Sequence, residues 1–387
     1  MRELVGARRA RIAIDVIPLL GPLTGVGHYI HQLVRHFGRL SPHYEYVYYY
    51  GYFTKRLLKG NKGIHAIKDF VSRLPLLKAG LRGIRGTGAR FHPGEFDLYF
   101  EPNFIPLGIK AKNIVTTVHD FSVQLFPEAH PKERVRYFTK AFIKNVRRST
   151  HVITDSLFIK TEAINLLNLP AEMITPVHLG VDHDVFKIYE REGLEFCRRE
   201  FGLPENFILF VGTREPRKNL DRLVEAYAEL PQQLRSEFGL VLVGPQGWGA
   251  GDRLVREKLG DRITILNYLE THKLAQVYNL ASVFVYPSLY EGFGLPPLEG
   301  MACGCPVIAS RAASLPEVCG DAAYYVDPED VQSIAGGIQK MLTDDRVRQD
   351  LVKKGLERSK GFSWERTAQE TLRVFSEALS DTPGKKR

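Results

Sequence analysis

The chain is short of the features that mark membrane, secreted or metal-stapled proteins. In its 387 residues no apolar run reaches the roughly 18 to 20 residues that a membrane span needs. The N-terminal "MRELVGARRARIAIDVIPLL" has arginines ahead of an apolar stretch, but Asp15 and Pro18 interrupt it and no small-residue cleavage site follows. It reads instead as a first β-strand. Only four cysteines occur, Cys197, Cys303, Cys305 and Cys319. Cys303 and Cys305 are too close for an ordinary disulfide and lack the partner pair of a zinc site, so all four are expected to be reduced, small apolar residues of a cytoplasmic protein. No low-complexity tract and no short-period repeat is visible, and no cluster has metal-ligand spacing.

Apolar residues make up 44% and charged residues 25%, both ordinary for a globular chain, and the length calls for two domains. The net charge of +9 is unevenly spread. Residues 1–180 hold 26 Lys and Arg against 13 Asp and Glu, whereas the rest hold 27 against 31. A basic N-terminal half fits an anionic partner: a membrane face, a pyrophosphate lipid or a nucleic acid. Solvated surface charge is the plainer alternative. The densest basic stretch, "KAGLRGIRGTGAR" (Lys78 to Arg90), reads as a flexible loop. The basic residues are not interleaved with an aromatic RNA-binding motif, which argues against nucleic acid.

Short apolar runs alternate with amphipathic stretches along the whole chain. "RIAIDVI", "YEYVYYY", "FDLYFE", "NIVTTVHD" and "HVITDS" read as strands in the first half, and "FILFVGT", "GLVLVGP", "RITILNY", "SVFVYPS" and "CPVIAS" in the second. Between them "GVGHYIHQLVRHF", "RVRYFTKAFIKNVRRS", "NLDRLVEAYAEL" and "VQSIAGGIQKML" read as helices. This alternation predicts parallel sheets covered on both faces, in two doubly wound α/β domains. The expected boundaries are 1–185 and 186–365, with the seam near "VHLGVDHDVFKIYEREG", where a strand ends in a glycine. A helix over 366–380 is expected to return to the first domain, and 381–387 to form a disordered tail.

Ligands of such sheets bind beyond the carboxyl ends of the strands, so the polar residues there are the candidates. "YEGFGLPPLEG" places Glu291 after the strand "SVFVYPS", with Gly292 and Gly294 permitting close backbone approach and Pro296 or Pro297 opening a helix. Glu299 is then expected in the first helical turn. The N–H groups at Phe293, Gly294 and Leu295 would face a diphosphate at the positive end of the helix, and the carboxylates suit sugar hydroxyls. A loop glutamate and a capping glutamate remain the alternative. In "VGTREPRKNL", Arg214, Arg217 and Lys218 can clamp phosphates, or be solvated charge ahead of a helix capped by Asn219. His119 ends the strand "NIVTTV", either as a satisfied core histidine or as a group facing a sugar. Gly25 and Gly27 open a helix in "GPLTGVGHYIHQL", which lacks the Gly-Lys-Ser/Thr of a P-loop, so the Gly-x-Gly alone says little.

Taken together and in order, these segments resemble the retaining glycosyltransferases of family 4, which have the GT-B fold of two Rossmann-like domains facing across a cleft. The likeness runs from "GPLTGVGHYIHQL" through "VHDFSVQLFPEAHP", "HLGVDHDVF", "FVGTREPRKNL" and "YEGFGLPPLEG" to "FSWERT". It implies that Glu291 meets the donor hexose, Glu299 the ribose, Lys218 the phosphates, and the backbone at Gly292, Phe293, Gly294 and Leu295 the diphosphate and sugar. His119 would lie near the donor sugar, Gly25 and Gly27 under the donor phosphates, and Leu269 beside the nucleotide. His119, Glu291 and Lys218 are the implied catalytic set. The family's arginine five residues before the lysine is replaced here by Thr213, leaving Arg214 or Arg217 to supply the charge. "GTREPRKN" resembles a subgroup of mannosyl- and rhamnosyltransferases of surface polysaccharides, which makes GDP-mannose the favoured donor ahead of UDP- or TDP-sugars. No metal or other cofactor is implied. The expected acceptor is a glycan or a polyprenyl-pyrophosphate-linked saccharide, reached by a cytoplasmic enzyme touching the anionic inner membrane face through its N-terminal domain. The alternatives are another GT-B enzyme, such as a nucleotide-sugar epimerase, and a non-catalytic nucleotide-sugar-binding protein.

Overall fold

A computed structural model describes residues 8–21, 25–58, 94–248 and 262–380. The basic stretch Lys78 to Arg90 and the tail 381–387 lie outside these residues. The first sheet has seven strands: β1 (Arg11–Asp15), β2 (Glu45–Tyr49), β3 (Phe53–Thr54), β4 (Phe96–Glu101), β5 (Ala111–Val118), β6 (His151–Thr154) and β7 (Ile174–Pro176). Their order is β3-β2-β1-β4-β5-β6-β7, parallel except for the two-residue β3. The second sheet comprises β8 (Asn206–Val211), β9 (Phe238–Val243), β10 (Ile263–Leu266), β11 (Val283–Tyr286), β12 (Val307–Ser310) and β13 (Ala323–Val326), in the order β10-β9-β8-β11-β12-β13 and wholly parallel. This is the doubly wound arrangement of a Rossmann-like domain, with its topological switch between β8 and β11.

Each sheet is buried on both faces, so its central strands are continuous apolar runs. "FILFV" in β8 and "VFVY" in β11 have no exposed residue. At the seam the strand is Ile174–Pro176; "VHLG" beyond it is irregular, and Val181 after it makes an isolated bridge to Ser363. Gly180 is packed so tightly there that a Cβ would stand 2.1 Å from the Trp364 nitrogen. The chain then crosses back: the helix Trp364–Ser380 packs on the helix Gly25–Leu40 and on β4 to β6. Phe375 joins Phe37 and Phe100 at ring separations of 5.5 and 5.0 Å. All four cysteines are buried and unpaired with one another. No described helix is long and apolar enough to cross a membrane.

Candidate active site

The loops leaving β8 and β11 meet at the switch point of the second sheet. After β11 the chain turns through Tyr290 and Glu291 into the helix Leu295–Ala302. Gly294 caps that helix at φ 108°, where a Cβ would meet Leu315 Cδ2 at 2.6 Å, so backbone and space both demand glycine. Pro296 lies in the first turn, whose missing N–H costs nothing there. Ser314 Oγ, shared between the carbonyls of Glu291 at 2.8 Å and Phe293 at 2.9 Å, braces the loop from outside. Glu299 falls in the second turn rather than the first, because the helix starts at Leu295.

After β8 a single 3-10 turn, Pro216–Lys218, carries the two cations. Asn219 follows in the left-handed region at φ 61° and is not a side-chain cap. Its Nδ2 instead donates to the carbonyls of Pro287 at 2.9 Å and Pro328 at 2.7 Å, tying three strand-end loops together. The Arg217 carbonyl accepts the Leu289 N–H at 2.9 Å, which fixes the register between the two site loops.

The charged groups form one network. Glu291 Oε1 lies 2.6 Å from Lys218 Nζ and Oε2 lies 3.0 Å from Arg217 Nη1. Lys218 also donates to the Tyr286 hydroxyl at 2.6 Å, and Arg217 to Glu215 at 2.7 Å and to the Tyr290 carbonyl at 2.5 Å. The side chains of Glu291, Arg217 and Lys218 are 8%, 11% and 12% exposed, so the network is nearly shut off from water. Burial alone would raise the Glu291 pKa, but Arg217 and Lys218 outweigh it and hold the carboxyl down at about 2. Burial lowers the Lys218 pKa, and the carboxylate of Glu291 works against that shift. Burial pushes Glu299 the other way, up to about 7, against one long contact of 3.4 Å from the Tyr278 hydroxyl.

The N-terminal domain closes directly on this loop. Gly292 packs against His119, where a Cβ would stand 1.9 Å from the His119 carbonyl oxygen. Ser156 Oγ donates to the Gly292 carbonyl at 2.8 Å, and the Phe121 N–H donates to the Tyr290 hydroxyl at 3.1 Å. Glu317 accepts the N–H groups of Leu157 at 2.8 Å and Phe158 at 3.0 Å. Trp248 Nε1–H reaches the Ala129 carbonyl at 2.6 Å.

A model of "Glycosyl transferases group 1" matches residues 195–358, and one of "Glycosyltransferase Family 4" matches residues 23–185. The chain is 34% identical over 378 residues to the O-antigen chain mannosyltransferase B of Escherichia coli, covering 94% of this chain and 99% of that one. The chain belongs to glycosyltransferase family 4. It is also 32% identical over 280 residues to the serotype-specific mannosyltransferase WbdA of E. coli, although this covers 69% of the chain and only 34% of that longer protein. Among solved structures, HepE from Anabaena in complex with UDP-glucose shares the GT-B fold, with a TM-score of 0.69, 17% identity and coverage of 95% and 99%.

Within this glycosyltransferase the sequence-predicted residues divide into groups. Arg217, Lys218 and Glu291 are in contact, while Gly292, Phe293, Gly294 and Leu295 form the adjoining turn and helix start. Phe293 is buried against His178 and Phe362. Arg214 donates to the Gly244 carbonyl at 2.5 Å, whereas Arg217 is the arginine that pairs with Glu291 alongside Lys218. Thr213 is half-buried and its carbonyl accepts the Glu215 N–H, whereas Leu269 packs half-buried beyond β10. Gly25 and Gly27 lie inside the first turn of their helix.

Both nitrogens of His119 are occupied within its own domain, Nδ1 at 2.8 Å from Asp155 and Nε2 at 2.9 Å from the Pro102 carbonyl. Burial opposes its protonation, but Asp155 and the carbonyl win and raise its pKa. It has the contacts of a satisfied core histidine, and its backbone carbonyl is what meets Gly292. Sequence reasoning missed Glu215, Tyr286 and Tyr290 as members of the site. All three sit inside quoted motifs, and only their spatial convergence marks them.

Proposed function

We propose that the enzyme transfers mannose from GDP-mannose, with retention at the anomeric carbon, to a mannose-containing saccharide carried on polyprenyl pyrophosphate. The observation that carries this reading is the Glu291–Arg217–Lys218 network at the switch point, one turn from the start of a helix. A transition state with positive charge on the sugar leaves negative charge on the departing diphosphate. Arg217, Lys218 and the N–H groups of Gly294 and Leu295 at the start of the helix Leu295–Ala302 are held in place before the reaction, so they can stabilise that charge. Glu291, held ionised, accepts hydroxyls of the hexose, and Glu299 accepts those of the ribose. His119, fixed by Asp155 and the Pro102 carbonyl, contributes through its backbone carbonyl, which packs on Gly292 beside Glu291. Gly25 and Gly27 open the helix that faces the donor phosphates, and Leu269 and Thr213 line the nucleotide side. Closure of the two domains keeps water, the competing acceptor, from the donor. The printed names of the E. coli relatives support mannose as the sugar, and the UDP-glucose complex of HepE supports a nucleotide-sugar donor.

The test is turnover of GDP-mannose by Lys218→Ala and Glu291→Ala. Each is expected to lose most transfer while keeping a cooperative melt, and near-normal turnover in both would end the assignment. A thermal-shift series with GDP-mannose, UDP-glucose, UDP-GlcNAc and TDP-rhamnose identifies the donor, because a ligand well above its Kd stabilises by about 2 to 4 kcal/mol.

An anionic membrane face completes the reading. On the helix Lys132–Val146, Lys132, Arg136, Lys140 and Lys144 recur every fourth residue along one exposed ridge that continues to Arg148. Tyr137 and Ile143, 42% and 38% exposed, lie beside it, while Phe142 and Val146 are buried on the opposite side. Among the described residues none of the four helical cations makes an ion pair. Apolar tips among cations suit a lipid headgroup layer, and each basic residue near an anionic surface contributes roughly 1 kcal/mol. Co-sedimentation with phosphatidylglycerol vesicles is expected to fall with added salt and in Arg136→Glu/Lys140→Glu. Binding indifferent to salt and to anionic lipid contradicts it.

A further inference from the structure

Tyr290 belongs by sequence to the C-terminal domain and by burial to the N-terminal one. Its side chain is 4% exposed and sits in the hydrophobic cluster built from Phe104, Val118, Phe121 and Phe142. Its ring lies 5.3 Å from Phe126 and 6.1 Å from Phe158. The hydroxyl accepts the Phe121 N–H and donates to the Glu162 carboxylate. Burial and the neighbouring carboxylate push the hydroxyl's pKa well up, so it remains a donor throughout the working range of pH.

Glu162 stands in the helix Leu157–Leu167, and the cap of that helix, Ser156, holds the Gly292 carbonyl. Glu317 grips the first-turn N–H groups of the same helix. The residues on both sides of Glu291 in the chain are therefore anchored to one N-terminal-domain helix. Its carboxylate, in contrast, is held among the described residues from the C-terminal domain, by Arg217 and Lys218.

We infer that Tyr290 is a positioning residue, which fastens the Glu291 loop to the helix Leu157–Leu167 and so sets the Glu291 carboxylate for transfer only when the two domains are closed. The inference rests on the reading of Glu291 as the residue that meets the donor sugar, and adds what places it there. When the domains part, Tyr290 leaves its cluster and the loop loses its N-terminal supports. Donor bound to the open form keeps its phosphate contacts, but the backbone on either side of Glu291 is no longer pinned, and its carboxylate stays paired with Arg217 and Lys218 instead of being set at the sugar. Transfer is thereby confined to the state that excludes water.

The experiment compares steady-state kinetics of Tyr290→Phe, Glu162→Ala, Glu162→Gln and the double variant Tyr290→Phe/Glu162→Ala. The probes are GDP-mannose and an octyl α-mannoside. Loss of the hydroxyl is expected to lower kcat about tenfold, the usual scale for one hydrogen bond to a charged group. The Kd for GDP stays unchanged, and the fraction of GDP-mannose lost to water rises. Glu162→Ala reproduces the defect, Glu162→Gln restores most of kcat because its amide oxygen still accepts, and the double variant is no slower than the slower single one.

Wild-type kcat and hydrolysis fraction in Tyr290→Phe would overturn the inference. Fully additive losses in the double variant would do the same, as would a loss confined to GDP affinity. Should Tyr290→Phe fail to fold, the two Glu162 variants decide alone, on a half-buried helix position. Near-normal turnover in Glu291→Ala is a separate result that removes the underlying reading along with this one.

Discussion

Glu291 pairs with both cations proposed to hold the donor diphosphate, Arg217 and Lys218, and replacing it by glutamine separates two effects that a simple loss of activity would merge. The carboxyl is held at about 2 against an ordinary 4.5, despite a burial that pushes it upward. A shift of that size favours the ionised form by about 3 kcal/mol after the burial penalty has been offset by Arg217, Lys218 and the hydrogen bonds to the carboxylate. Glu291→Gln keeps the shape and removes the charge, leaving Lys218 and Arg217 under-compensated; Arg217 still has Glu215. The variant is expected to melt lower, since an uncompensated buried charge is costly. It should also bind GDP more tightly, because the phosphates no longer compete with a carboxylate. Recovery of half of that free energy makes GDP binding about tenfold tighter. Transfer moves the other way and falls roughly a hundredfold, because the sugar hydroxyls lose a charged acceptor. Calorimetric titration of GDP into wild type and variant, beside initial rates with GDP-mannose, reads both. Unchanged or weaker GDP binding together with intact turnover would refute the reasoning.

Other expectations follow from the same geometry. Gly292→Ala places a methyl 1.9 Å from the His119 carbonyl, so the domains must separate by roughly 1 Å. A misplacement of that size costs about a hundredfold in transfer, with GDP binding and the melting profile little changed; wild-type activity would deny the domain contact. Glu299, raised by burial to about 7, is protonated below that pH and loses acceptor capacity for the ribose. GDP affinity should therefore weaken as pH falls from 8 to 6, and Glu299→Gln should flatten that profile. Its effect on folding has the opposite sign: a carboxyl whose folded pKa is raised makes the protein less stable as pH rises from about 4.5 to 7. Chemical denaturation of wild type and Glu299→Gln across that window checks the slope.

Much of this architecture was legible because parallel strands buried on both faces must be written as unbroken apolar runs. All ten runs read as strands contain one. β3 and β7, of two and three residues, are too short to carry a pattern, and "VHLG" looked like the strand that in fact ends at Pro176. At the site, Gly294, Pro296 and the pair Arg217–Lys218 were readable because backbone geometry and charge each demand particular residue types. Position along the helix was less so: Glu299 slipped to the second turn once Leu295 rather than a proline opened the helix. The role of Asn219 was hidden because its partners, Pro287 and Pro328, lie on other loops. His119 illustrates the same limit, since whether a strand-end histidine is free or satisfied depends on Asp155, 36 residues away. Tyr290 looked like the entrance to a motif, and only the packing of the two domains reveals where its ring goes.

The most direct test of the account is the anomeric configuration of the product. Incubation of the wild-type enzyme with GDP-α-mannose and an octyl α-mannoside, followed by proton NMR of the new linkage, should show a new α-mannosidic linkage from the first turnovers and far less of it from Lys218→Ala. A β-linked product would contradict retention. Free mannose as the only product, or transfer undiminished in Lys218→Ala, would contradict the site.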